Sequence, residues 1–280
     1  FTFQVDTPQQ RLSRISDTVW STVDTSYNPP PTFEDDTSIS GGVFTLTPGA
    51  TTGVGVNFTA SAGVFFAGDV GRNIIYQTSR AVITSFTSSS VVVCTIINAF
   101  PNTSPIPGTQ WFLRLSPQVA LTISPFTPVG ALGLVTTSVD TFRSVDAGKY
   151  IVASGGLIRL TRFDSTTQMG TEILVAPTIG TPGAGTWSLE VPSWSPTNGY
   201  ARTGEFIQGR LGQASTHAEP TTCWLSATDD YDNYAPGITA DRAIEFTIAA
   251  KQLNQIEWIS DNSDLFIGTT GSEFQIKSKT

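Results

Sequence analysis

Along this 280-residue chain, short runs of Val, Ile, Leu and Phe alternate with polar positions that are mostly Thr and Ser. Successive side chains of a strand point to opposite faces, so such runs predict half-buried β-strands. In the first part of the chain the pattern predicts strands at 43–47, 54–60, 73–77, 81–86, 91–97 and 111–115. Gly, Pro, Ser and Asn bound these runs, as expected of a meander or small barrel.

The pattern then repeats. Asp69-Val70-Gly71-Arg72-Asn73-Ile74-Ile75 returns as Asp146-Ala147-Gly148-Lys149-Tyr150-Ile151-Val152. Thr84 and Phe86 return as Thr161 and Phe163 at the same offset of 77 residues, and Gly-Thr-x-Trp-x-Leu closes both segments at Trp111 and Trp187. A fixed period is an architectural signal that no single residue carries. It predicts two tandem β-domains, over 41–117 and 118–194. The Asp-x-Gly step reads as a tight turn, with Gly71 and Gly148 supplying a backbone angle that other residues avoid. Counting by twos places Phe86 with Thr84 and Phe163 with Thr161, and these rings, like Trp111 and Trp187, read as core plugs.

The flanks differ in texture. Residues 1–40 form a leading segment, with Arg11-Leu12-Ser13-Arg14, Trp20 and the run Asn28-Pro29-Pro30-Pro31, which cannot pair as a central strand. Glu34-Asp35-Asp36 reads as a solvated turn. Residues 195–280 carry short strands at nearly regular spacing, which suggests propeller blades. Lys251-Gln252-Leu253-Asn254 reads as a bend or one helical turn. The expected fold is all-β: two tandem small β-barrel repeats plus a C-terminal β-rich, propeller-like part.

Composition narrows the function classes. Charged residues are 14% of the chain and the net charge is −8, with no basic cluster. A high-affinity nucleic-acid reader needs Lys and Arg against phosphate, so that class is disfavoured. An acidic surface still suits a protein past which DNA must slide. Cys94, in an apolar run, reads as a buried free thiol, and neither it nor Cys223 belongs to a metal-binding motif. No apolar run is long enough for a membrane span and no signal peptide is apparent. The start at Phe1 suggests a processed or excised fragment.

Catalytic chemistry has little support. His217, the single histidine, lies in a polar loop without a second histidine to share a metal, and no Gly-x-Ser-x-Gly elbow points to a hydrolytic triad. Asp229, Asp230, Asp232 and Asn233 form the best ligand-like cluster, but the glycine and distal glutamate of an EF-hand loop are missing, and an Asp/Asn-rich turn explains it. A glycosidase would need two facing carboxylates, and nothing singles out a pair among 23 acids. No catalytic, cofactor-binding or metal-binding residue is therefore assigned.

The motifs do resemble a known family. Arg11-Leu12-Ser13-Arg14 with Trp20 is similar to the opening of a family of bacteriophage tail structural proteins. The repeats resemble the small barrel likened to the first catalytic-cysteine half-domain of ubiquitin-activating enzymes, in fold only. Further matches occur in family order: Gly199-Tyr200-Ala201-Arg202, Phe206 to Leu211, Trp224-x-Ser226, Asp230 to Tyr234, Ala243 to Ile248, Gln252 to Ile256, Leu265 to Thr269 and Gly271 to Phe274. Gly212-Gln213-Ala214-Ser215 departs from the family's apolar-aromatic stretch and weakens the expectation of a strand there. The chain also stops where family members continue, so a propeller would be incomplete.

What the resemblance implies is a non-enzymatic virion protein made in the bacterial host cytoplasm. It would be a subunit of the tail nozzle or tail tube of a short-tailed phage (a podovirus). Its expected partners are other copies in a homo-oligomeric ring, the portal and adaptor, and tail fibre proteins. DNA would pass during ejection without stable binding, and no membrane span or cofactor is expected. The alternative is a phage receptor-binding or fibre-attachment module recognising cell-surface glycan, which predicts exposed aromatics gathered in a groove. A surface hydrolase is a third reading.

Overall fold

A computed structural model describes residues 1–34, 43–237, 239–249, 254–262 and 264–277. The fold is all-β. Among the described residues, twenty-three strands form five antiparallel sheets, and the helical turns are two three-residue 3-10 turns. The chain divides into two compact units, Phe1–Phe33 with Pro192–Thr280, and Glu34–Val191.

The leading segment forms a three-stranded sheet of β1 (Thr2–Gln4), β2 (Thr7–Arg14) and β3 (Trp20–Asp24), followed by β4 (Thr32–Glu34). The first repeat contributes β5 (Leu46–Pro48), β6 (Val56–Ala60), β7 (Asn73–Tyr76), β8 (Ser79–Ser88), β9 (Val91–Asn98) and β10 (Trp111–Arg114). The second contributes β11 (Leu121–Ser124), β12 (Leu132–Thr137), β13 (Tyr150–Ala153), β14 (Gly156–Ser165), β15 (Gln168–Val175) and β16 (Trp187–Pro192). The first repeat's strands lie in the order β10-β7-β8-β9-β6-β5, and the second's in the order β16-β13-β14-β15-β12-β11. Element for element these two sets of six are the same, and β4, which ends at Glu34, adds a seventh strand to the second sheet beside β16.

Even the irregularities repeat. The β8/β9 ladder slips between Ile83 and Ser85 and again between Phe86 and Ser88. The β14/β15 ladder slips between Leu160 and Arg162 and between Phe163 and Ser165, 77 residues further on. Each sheet curls so that its edges approach. The Trp111 indole N–H donates to the Phe44 carbonyl (3.1 Å), and the Trp187 indole to the Val119 carbonyl (2.7 Å). Trp111 and Trp187 are thus core plugs, each among buried aliphatics: Leu46, Ile74, Ile83 and Leu113 in one repeat, Leu121, Ile151, Leu160 and Leu189 in the other. Gly71 and Gly148 have φ of 92° and 91°, so the repeated turn does use the left-handed region open to glycine.

Phe86 and Phe163 correct the sequence expectation. The bulge in each ladder breaks the count by twos and sets Phe86 opposite buried Val92, and Phe163 opposite buried Met169. There the strands outrun the last core layer, and the rings keep 38% and 37% of their surface exposed. They border the core; they do not plug it.

In the other unit, β17 (Thr203–Ile207), β18 (Arg210–Ala214), β19 (Thr222–Leu225) and β20 (Ile244–Thr247) make a four-stranded meander. A three-stranded meander follows: β21 (Ile256–Asn262), β22 (Asp264–Thr269) and β23 (Glu273–Ile276). One core joins them, with Ile207, Ala214, Cys223 and Leu225 against Ile256, Ile259, Leu265 and Ile267. Gly212-Gln213-Ala214 does lie in a strand, contrary to the expectation from its departure. All of β18 is buried, and a Cβ on Gly212 would stand 2.7 Å from the Ile207 side chain, so crowding favours small residues there. Asp35, Asp36 and 251–253 lie outside the described residues.

Candidate functional site

The two repeats meet at a buried electrostatic knot. In the first, the Phe66 backbone N–H donates to Asp69 Oδ2 (2.8 Å), closing the 3-10 turn, and Arg72 Nη1 donates to Asp69 Oδ1 (3.0 Å). Arg72 Nε also donates to the Leu115 carbonyl (2.6 Å). In the second, the Arg143 backbone N–H and Lys149 Nζ take the matching positions on Asp146, at 2.7 and 2.8 Å. Arg143 occupies the place of Phe66, and its guanidinium crosses to the first repeat. There it donates to Asp69 Oδ2 (2.6 Å) and the Val64 carbonyl (3.1 Å), while stacking over the Phe66 ring. Asp69 is 1% exposed and faces two guanidinium groups. Charges so buried persist only when paired and hydrogen-bonded.

Beside this knot opens a groove of about 320 Å³ lined by Phe44, Val64, Phe66, Phe142, Val145 and Phe163, with Arg143 among its walls. In the other unit, an aliphatic cleft of about 230 Å³ lies among Ile207, Leu225, Ile244, Phe246, Leu265 and Ile276. Arg210 borders it, spent on structure: its guanidinium donates to the carbonyls of Ser226 (2.5 Å), Arg242 (2.7 Å) and Ala240. Burial pulls its pKa down.

The third feature is the β2–β3 hairpin. Its base is anchored: Gln9 is buried, and Arg11 Nη2 meets both carboxylate oxygens of Asp232 at 2.6 and 2.7 Å. Beyond the anchor, every residue from Leu12 through Trp20 is exposed. Among them are Leu12, Ile15, Val19 and Trp20, and Val23 follows on β3.

The structure scatters the residues examined for chemistry. His217 Nε2 lies 2.9 Å from Asp6 Oδ1 in an exposed pair. Asp229 sits at φ 59° in a turn, Asp230 accepts from Asn233 Nδ2 (3.0 Å), and Asp232 is taken by Arg11. No group of three His, Cys, Asp or Glu able to hold a metal occurs among the described residues. Cys94 and Cys223 are free and buried, and burial pushes both thiols up to about 12. Burial also raises the Glu219 carboxyl, partly offset by the Ser193 hydroxyl. No helix among the described residues is long and apolar enough to cross a membrane.

The ordered C-terminal motifs turn out to carry packing. Gln208 and Gly209, both at positive φ, turn β17 into β18. The Tyr234 hydroxyl donates to the Leu211 carbonyl (3.0 Å) and accepts from Gln213 Nε2 (2.7 Å). Tyr234 lies edge-on to Trp194 and Tyr27 in a cluster with Trp224. Trp258, partly exposed, has its indole against Gly268. Exposed Phe206 meets Tyr231 edge-to-face at 77°, and Phe1 at 59°. These rings pack on one another and present no flat shared face.

Sequence reasoning saw Asp69 and Asp146 as turn residues and missed their cations. The signal was there, in an acid followed three positions later by Arg or Lys in both repeats. It missed the exposed hairpin too, although apolar residues on both of its faces distinguish it from a half-buried strand. No protein-family model matches this chain, and no curated protein matches it in sequence.

Proposed function

We propose that this protein is a non-enzymatic structural subunit of a short-tailed phage tail, part of the nozzle or tube through which DNA is ejected. The observation that carries the reading is the duplicated all-β unit locked by Arg143 on Asp69, which suits a stiff wall element. The ordered C-terminal motifs accord with it, since among their described residues Gln208 and Gly209 make a turn, Leu211 and Trp224 are buried, and Tyr234 makes buried hydrogen bonds. In this reading the two curled sheets act as tandem small barrels. The four- and three-stranded meanders act as blades of a propeller-like part. Copies close into a ring that contacts portal, adaptor and fibre proteins, and the net charge of −8 keeps passing DNA from sticking.

Glycan recognition remains the second reading, and the groove with Phe44, Phe66, Phe142 and partly exposed Phe163 is what favours it. Electron microscopy of virions separates the two. A closed ring of this protein on the tail axis is the expected result. A peripheral position, with a soluble monomer that binds oligosaccharide, would overturn the structural reading.

A further inference from the structure

We infer that the β2–β3 hairpin is an assembly arm whose tip is enclosed by a second copy of this chain. The inference rests on the ring reading for its setting, but its argument comes from the arm itself. The cross-strand pairs Leu12↔Thr22 and Arg14↔Trp20 put Leu12 and Trp20 on one face, while Val23 pairs with Arg11 on the other. Ile15 and Val19 close the tip, where the Ile15 N–H donates to the Val19 carbonyl (2.8 Å). Apolar residues on both faces and at the tip suit a finger that is surrounded, not a sheet laid flat on a surface.

The exposures are large: 51% for Leu12, 67% for Ile15, 49% for Val19, 57% for Trp20 and 56% for Val23. Together these side chains present roughly 500 Å² of apolar surface, well over half of the ~800 Å² that each partner buries in a stable interface. That matches the largest apolar patch of a typical monomer, and such patches are often functional. Charge favours a second copy as the occupant. The arm carries Arg11 and Arg14 against Asp17 and Asp24 and is neutral, whereas the whole chain carries −8. Two such arms can therefore meet without net electrostatic repulsion. The outer edge of β3 is also open among the described strands, so backbone groups there can pair with a neighbour's strand.

The test needs one new thiol. Cys94 and Cys223 are buried, so Val19→Cys labelled with a benzophenone maleimide places a photocrosslinker on the tip alone. Illumination of the full chain is expected to give covalent dimers whose crosslinked peptide comes from another copy. Leu12→Ser with Trp20→Ser is expected to weaken self-association by about thirtyfold in sedimentation, with the melting temperature of the dilute, dissociated chain unchanged. Crosslinks confined to one chain, a monomeric wild type up to about 100 μM, or a double variant that still assembles would each overturn the arm. So would a double variant that melts early even when both proteins are diluted to monomer, because the tip would then pack on its own chain. A ring seen by microscopy with the arm free in solvent overturns the arm and leaves the ring reading. Arm-linked copies that form an open dimer do the reverse.

Discussion

The two repeats share strand order, bulges, turn glycines and tryptophan plugs, yet they differ where they touch. At the first residue of the acid-capped turn one has Phe66 and the other Arg143. Phe66 gives only its backbone N–H to its own Asp69, and its ring is a shelf for a guanidinium. Arg143 gives its backbone N–H to Asp146 and its side chain to the other repeat. One substitution within a duplicated motif thus turns a local cap into a tie between modules.

The largest expected effect comes from the acids. Asp69→Ala removes the carboxylate that pairs the buried Arg72 and partly buried Arg143 guanidinium groups and should lower unfolding stability by about 3–5 kcal/mol in urea titrations. Asp146→Ala should cost about 1 kcal/mol less, because the flexible stem of Lys149 can carry its ammonium toward water. Equal losses would show that Lys149 is held as tightly as the two guanidinium groups. Next comes Arg143→Phe, which makes the second repeat copy the first. A double-mutant cycle with Asp69→Asn should give a coupling energy of about 1–3 kcal/mol, and additive losses would show that the tie carries no energy.

Smaller effects sharpen the shared features. Phe86→Ser and Phe163→Ser should each cost less than about 1 kcal/mol, against about 3–5 for Trp111→Ala. A large loss at either phenylalanine would restore it to the core. The smallest effect lies outside both repeats, at Glu219. Burial raises its folded-state pKa, so the folded chain holds that proton more tightly than the unfolded chain does. Stability should therefore fall as pH rises from the ordinary carboxylate range through the raised value. Glu219→Gln should remove that slope and raise the melting temperature by about 1–2 °C at pH 7, whereas an unchanged pH profile would show that the carboxyl is solvated in solution.

Much of the fold was legible. Period-two alternation located the strands of the first repeat to within a few residues, and the 77-residue offset predicted that the second would copy it. The left-handed turn at Gly71 and Gly148 followed from Asp-x-Gly. Phe86 and Phe163 were misplaced because the end of a core layer along a strand is set by the distant segments packed on it. The bulge, equally unmarked in local composition, turns both rings to the side of buried Val92 and Met169, yet they lie beyond that layer. The strand through Gly212 and Gln213 was misjudged for a related reason. Its residues suit neighbours that only the packed meander brings close, the Ile207 and Leu225 side chains and the Tyr234 hydroxyl.

By itself, then, the sequence determined the all-β class, the duplication, the turn positions and the two tryptophan plugs. All of these follow from short-range periodicity and backbone preference, which act between near neighbours in the chain. Tertiary structure alone decided that Arg143 would reach Asp69, that Asp232 would clasp Arg11, and that the tip from Leu12 to Trp20 would be left uncovered. Those outcomes depend on which distant segments fill the space beside a residue, and no pattern in a local window encodes that.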